Sequence, residues 1–186
     1  MESALKPDFQ FLDEVESQGP FEAAACYQCR KCTNGCPVTF AMDLYPDQVI
    51  RKVILGQRDE VLRCSTIWVC ATCETCTTRC PNNVKIAEIM DCLKEMATRQ
   101  KIDVPQPQVR ILQETFLKNI RRHGRVFEGE LMAEYLIVSG QLMPKFKDGT
   151  LMDDVKLGIN LLRKGKMSVI PKIHKGRKFV NDILKD

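Results

Sequence analysis

Histidine is scarce and catalytic signatures are missing in this 186-residue chain. There are two histidines, His123 and His174, and neither has a Ser, Cys or acid arrangement of a nucleophilic site. No GxGxxG, P-loop or paired-carboxylate motif occurs. No place to transform a substrate is evident, so no catalytic residue is expected. Long apolar runs are missing as well. Runs such as Tyr135 to Val138 fall far short of the roughly 18 residues that a membrane span needs. The opening MESALKPDFQ carries polar and acidic residues throughout, so no secretory leader is expected. β alternation is missing too, and β-branched residues are scattered. The chain is therefore expected to be mainly α.

Cysteine is what the sequence has in excess: ten residues, in a composition otherwise ordinary for a globular protein. Eight of the ten fall in two copies of one pattern, the second starting 44 residues after the first. The copies are Cys26-x2-Cys29-x2-Cys32-x3-Cys36-Pro37 and Cys70-x2-Cys73-x2-Cys76-x3-Cys80-Pro81. This is the bacterial-ferredoxin spacing, in which the fourth Cys ligates the other cluster of a two-cluster protein. Three thiolates at x2 spacing can wrap one face of an iron-sulfur cube, but the chain cannot turn back within three residues to supply the fourth. The expected ligand sets are therefore crossed. Cluster one takes Cys26, Cys29, Cys32 and Cys80, and cluster two takes Cys70, Cys73, Cys76 and Cys36. Pro37 and Pro81 fix the backbone after each crossing residue. Structural zinc is the competing reading, but zinc ligands usually come as two separated pairs. A reducing cytosol favours metal binding over disulfides, so the expected setting is cytoplasmic.

Cys64 and Cys92 lie outside the pattern, and both read as buried packing residues. Arg30, Lys31, Arg79 and Lys85 lie in or near the runs, where they either raise cluster potentials or stand as solvated surface charge. Tyr27 and Trp68 are expected to pack over cluster edges. His123-Gly124 reads as a helix end. The formal charge is +4, and each occupied site would add about −2, so nucleic-acid binding does not follow. Gln141 to Asp186 holds eleven Lys/Arg against five Asp/Glu. That basic end reads as a solvated or partner-facing surface.

Helices are expected over Asp43 to Gly56, Arg58 to Cys64, from Asn82 or Asn83 through Ala97, Val109 to Arg122, Glu128 to Val138, Leu151 to Lys164 and Arg177 to Leu184. The expected division is an N-terminal extension over 1–25, an α-helical ferredoxin domain with two 4Fe-4S clusters over 26–99, and a helical C-terminal docking region over 100–186.

The doubled CxxCxxCxxxCP, the segment AAACYQCRKCTNGCPVTFAMDLYPDQVIRKVILGQRDEVL, the segment IWVCATCETCTTRCP and the helix from Ile86 to Met96 together resemble the C subunit of heterodisulfide reductase. The resemblance implies an electron carrier in a cytosolic complex of methanogens. It would relay electrons through two 4Fe-4S clusters from the flavin-bearing, bifurcating A subunit to the catalytic B subunit. The B subunit reduces the mixed disulfide of coenzyme M and coenzyme B, and a hydrogenase or formate dehydrogenase feeds the complex. The chain has no Cys-Cys dipeptide, so the resemblance gives it no disulfide-cleaving role. The alternatives are the iron-sulfur subunit of another flavin-linked dehydrogenase, of succinate/fumarate or glycolate/glycerol-3-phosphate type, or a metal-stabilised interaction module without redox chemistry.

Overall fold

The computed structural model describes residues 7–103, 105–168, 171 and 174–184. Residues 1–6, on which part of the no-leader expectation rests, lie outside the described residues. Every regular element among those described is helical. In chain order they are α1 (Gln10–Ser17), α2 (Lys31–Gly35), α3 (Pro46–Ile54), α4 (Arg58–Arg63), α5 (Thr66–Val69), α6 (Thr75–Arg79), α7 (Ile86–Arg99), α8 (Pro107–His123), α9 (Glu128–Val138), α10 (Leu142–Lys147), α11 (Thr150–Arg163) and α12 (Arg177–Ile183), with two short 3-10 turns at Ala23–Ala25 and Thr39–Ala41. They form two compact units, Met1–Gln106 and Pro107–Asp186.

The first unit is built on α3 and α7. Pro46 starts α3 with a preset φ, and Gln48 Oε1 accepts the Tyr45 N–H at 2.9 Å. Val49, Ile50 and Val53 then fall on one face and are fully buried. They meet Val61 and Leu62 of α4 and Ile89, Met90 and Leu93 of α7 in one apolar cluster. Burying each such side chain is worth about 1.5–3 kcal/mol, so this face holds the unit together. α1 belongs to the same unit: Phe11 and Val15, one turn apart, are fully buried in the cluster. Arg58 closes it from outside, pairing with Asp8 at 2.8 Å and with Glu14, its guanidinium 4.7 Å above the Phe11 ring. Gly56, at φ 67°, lies against the Asp8 backbone where a Cβ would collide.

The start of α7 differs from expectation. Asn82 and Asn83 do not cap α7, which begins only at Ile86. Asn83 takes a left-handed turn at φ 54°, and the Asn82 amide instead donates to the Ala25 carbonyl, beside the first cysteine run. The α2, α5 and α6 helices are too short to show periodicity.

The second unit has little apolar interior. Among its described residues Leu131 and Leu136 are the buried apolar ones, beside the buried polar Thr115, Asn119 and His123. Asn119 Oδ1 accepts the Phe127 N–H at 2.7 Å, and His123 Nε2 lies 2.6 Å from Glu130 Oε2. His123 thus ends α8 in a buried pairing, with Gly124 at φ 75° just beyond. No residue of α10, α11 or α12 is buried.

Candidate functional site

Both cysteine runs fold the same way. The first Cys follows a helical turn, the second lies between two left-handed residues, and a five-residue helix carries the third. In the first run the left-handed residues are Gln28 (φ 58°) and Arg30 (φ 61°); in the second they are Thr72 (φ 50°) and Glu74 (φ 59°). None is glycine, and each such conformation costs about 1–2 kcal/mol. Strain repeated at equivalent positions marks a functional constraint. The left-handed turns aim backbone N–H groups inward, in the manner of an anion nest. The fourth Cys of each run, Cys36 or Cys80, returns to extended backbone and leaves the loop. The short helices α2 and α6 pack against each other, with the Arg79 side chain filling the space that the missing Cβ of its counterpart Gly35 leaves.

This packing brings the cysteines together in two cavities. One is lined by Cys26, Cys29, Cys32 and Cys80, with Tyr27, Arg30, Lys31, Asp47 and Ile86 among its other walls. The other is lined by Cys36, Cys70, Cys73 and Cys76, with Val38, Met42, Ile86 and Met90. Three thiols of each cavity come from one run and the fourth from the other. Ile86 lines both, so the cavities are neighbours. Among the described residues no three His, Cys, Asp or Glu side chains converge to hold a single metal ion. The thiols line the two cavities.

Hydrogen-bond donors face several of the sulfurs. The Gln28 backbone N–H and side-chain amide donate to Cys26 Sγ at 3.5 and 3.3 Å. Thr33 and its counterpart Thr77 each follow the third Cys of a run and approach that sulfur. The Thr75 hydroxyl lies 3.4 Å from Cys73 Sγ. Burial pushes the Cys32 and Cys70 thiols up and takes Cys76 to about 11, while the Thr75 hydroxyl and N–H hold exposed Cys73 below the ordinary thiol value. Buried thiols of this kind stay protonated until a cation replaces the proton, and a coordinating metal does so outright. Four thiols, apolar walls and inward N–H groups are the donor set that a 4Fe-4S cluster takes.

The threonines and Asp47 were not singled out from the sequence. Asp47 is buried, accepts the Thr33 hydroxyl and lies 3.6 Å from Arg30 Nε. Its position on the helix after the first run is the remaining signal, and a polar residue in a helical first turn ordinarily reads as solvated. The remaining residues named from the sequence divide between expected and unexpected places. Trp68 sits in the apolar core rather than on a cavity wall, whereas Tyr27 lines the first cavity but remains 72% exposed. Cys64 and Cys92 are buried in the core, and burial raises the Cys64 thiol to about 11. Lys85 lines neither cavity and pairs with Glu88 at 3.2 Å. Arg79 faces a surface hollow with Lys31 and Asn34.

The chain is similar to known proteins. Residues 22–84 match the 4Fe-4S dicluster domain. The chain is 32% identical over 98 residues to the C subunit of the H2:CoB-CoM heterodisulfide,ferredoxin reductase of Methanothermobacter marburgensis, covering 53% of each chain. It is 35% identical over 105 residues to the iron-sulfur C subunit of the CoB–CoM heterodisulfide reductase of Methanopyrus kandleri, covering 53% of this chain and 55% of that one. Against the iron-sulfur C 2 subunit of the Methanocaldococcus jannaschii reductase the identity is 46% over 76 residues, covering 41% and 40%. The chain spans about half the length of the curated relatives it matches. The resemblance to the C subunit of heterodisulfide reductase is borne out. No helix among the described residues is long and apolar enough to cross a membrane.

Proposed function

We propose, from the 4Fe-4S dicluster domain that residues 22–84 match, that this chain is the electron-carrying subunit of a heterodisulfide reductase complex. The observation that carries the proposal is the pair of four-cysteine cavities sharing Ile86 as a wall. In this reading Cys26, Cys29, Cys32 and Cys80 hold one 4Fe-4S cluster, and Cys36, Cys70, Cys73 and Cys76 hold the other. Bound there, each cluster supplies reversible one-electron chemistry. The protein's own residues do the rest. Met42, Met90 and Val38 keep water from the second cavity, the loop N–H groups and the Thr75 and Thr77 hydroxyls stabilise thiolate charge, and Ile86 keeps the cavities adjacent. Cys29 and Cys73 are exposed, so each cavity has one sulfur at the surface where a partner can exchange electrons.

The proposed donor is the A subunit, which bears flavin and iron-sulfur clusters. The proposed acceptor is the B subunit, which reduces the CoM-S-S-CoB heterodisulfide in methanogenesis. A hydrogenase or formate dehydrogenase stands upstream of the donor. The chain would act in the cytoplasm, within an oxidoreductase whose catalytic site lies in the acceptor. Residues 100–186, with their basic end and unburied helices α10 to α12, are proposed to dock these partners.

EPR-monitored redox titration of the anaerobically purified chain, with iron and sulfide quantified, tests this. About eight irons per chain and reversible reduction are expected. Zinc, or metal that does not reduce, removes the electron-transfer assignment. In the assembled complex, Cys73→Ser is expected to abolish turnover while the donor's flavin is still reduced. Normal turnover without the second cluster would end the relay account.

A further inference from the structure

The two cysteine runs are copies, but the groups wired to their sulfurs are not. Thr33 and Thr77 occupy equivalent positions, 44 residues apart. A threonine hydroxyl has one proton to give. The Thr33 hydroxyl gives it to Asp47 and accepts the Asp47 N–H at 3.2 Å in return. That proton is then not available to Cys32. The Thr77 hydroxyl accepts the Ala87 N–H at 3.4 Å, which leaves its proton free for Cys76. Thr75 adds a second hydroxyl, beside Cys73. At the first cavity the matching side-chain donor is the Gln28 amide on Cys26.

The buried charges differ in sign as well. Asp47, with its side chain 10% exposed, is a wall of the first cavity. Its partner Arg30 is 59% exposed, and Lys31 is exposed too, so water and salt screen both cations. Beside the second cavity, though not among its walls, the buried charge is Lys94, with its side chain 13% exposed and its Nζ donating to the Cys70 carbonyl at 3.3 Å. The acids near that cavity are less buried: Asp91, paired with Lys94 at 2.8 Å, is 47% exposed, and Glu74 is half-buried. Negative charge near a cluster resists reduction, while positive charge and donors to sulfur favour it.

We propose that the second cavity holds its cluster at the higher reduction potential, and that Asp47, by its charge and by its hold on the Thr33 hydroxyl, sets the difference. This rests on the two-cluster reading above. An electron on the chain therefore comes to rest in the cavity of Cys36, Cys70, Cys73 and Cys76.

The test is EPR-monitored titration of the full chain, purified anaerobically, after iron and sulfide have been counted. Two waves are expected. Asp47→Asn keeps an acceptor for Thr33 but removes the charge, and is expected to raise the lower wave alone by about tenfold in its reduction equilibrium, about 59 mV for one electron. Asp47→Glu is expected to leave that wave nearer its original place. Lys94→Gln and Thr77→Val act at the other cavity and are expected to lower the upper wave alone, so the proposal stays testable if the Asp47 variants fold poorly. The proposal is overturned if the waves coincide, if Asp47→Asn moves the upper wave or neither, or if the Lys94 and Thr77 variants move the lower one. Iron near half of the two-cluster level, or none, overturns the two-cluster reading itself and this proposal with it.

Discussion

The two units of the chain solve the same problem in opposite ways. Residues 7–103 bury a continuous apolar cluster around loops whose backbone is repeatedly left-handed. Residues 107–168 bury little apolar surface and rely on polar pairings such as Asn119 with Phe127 and His123 with Glu130. The first unit can hold costly loop conformations because its helices pack well and because a bound metal core would add folding energy. The second leaves large apolar side chains such as Phe146, Met152 and Phe179 in solvent, each more than 60% exposed. One unit is organised around a site, and the other presents surface.

The largest test of this contrast is metal removal. Stripping iron under anaerobic conditions is expected to abolish hydrogen-exchange protection in α2 and α6 while α8 and α9 keep theirs. Equal loss in both units would break the comparison. Next comes the apolar core, where Ile50→Ala is expected to cost about 2–5 kcal/mol of first-unit stability, read from denaturant midpoints. In the second unit the largest single effect should be polar. Asn119→Ala leaves the Phe127 N–H without its acceptor and is expected to cost about 1–3 kcal/mol.

Asp43 gives a smaller effect with a defined pH dependence. Burial acts to raise its pKa, but the N–H groups of Ser65, Thr66 and Leu44 and the Thr66 hydroxyl outweigh it and hold the carboxyl below its ordinary value. These contacts pin the start of α5, just ahead of Cys70. Asp43→Asn is expected to cost about 1 kcal/mol at neutral pH, in line with loss of a helix cap. A carboxyl depressed in the folded state stabilises above its unfolded pKa, about 3.9, and loses that contribution as pH falls through its folded value. The thermal-midpoint gap between wild type and variant should therefore close below about pH 4. The smallest effect is expected at Leu157 on α11, which is 59% exposed. Its replacement by Ala should change stability by less than about 0.5 kcal/mol.

Much of the architecture could be read from the residues, for identifiable reasons. The spacing of Val49, Ile50 and Val53 and the Pro46 start announced α3, and the Ile86-to-Ala97 stripe announced α7. The loops between were harder. Reading a left-handed turn depends on glycine or asparagine, and Gln28, Arg30, Thr72 and Glu74 are neither. Helices of five residues, such as α2 and α6, complete barely more than one turn and carry no period. Asn83 takes a left-handed turn where its position also suits a cap, because Asn serves both purposes. Trp68 lies two residues before Cys70, yet its α5 position turns it into the core. Asp47 is not legible in the sequence, because only tertiary packing distinguishes a buried acid from a solvated one in a first helical turn.

The grouping of each cavity's cysteines across both runs also imposes a timetable on synthesis. Cys26, Cys29 and Cys32 leave the ribosome first, yet their cavity lacks its fourth wall until Cys80 has been made. At about 5–20 residues per second, that wait is roughly 3–10 s. The other cavity has Cys36 waiting early and is complete when Cys76 emerges, four residues before its neighbour. The site that begins second is thus finished first. Until the second run appears the nascent chain carries a half-built thiol cradle, open to oxygen and stray metal, and both cradles then close almost together.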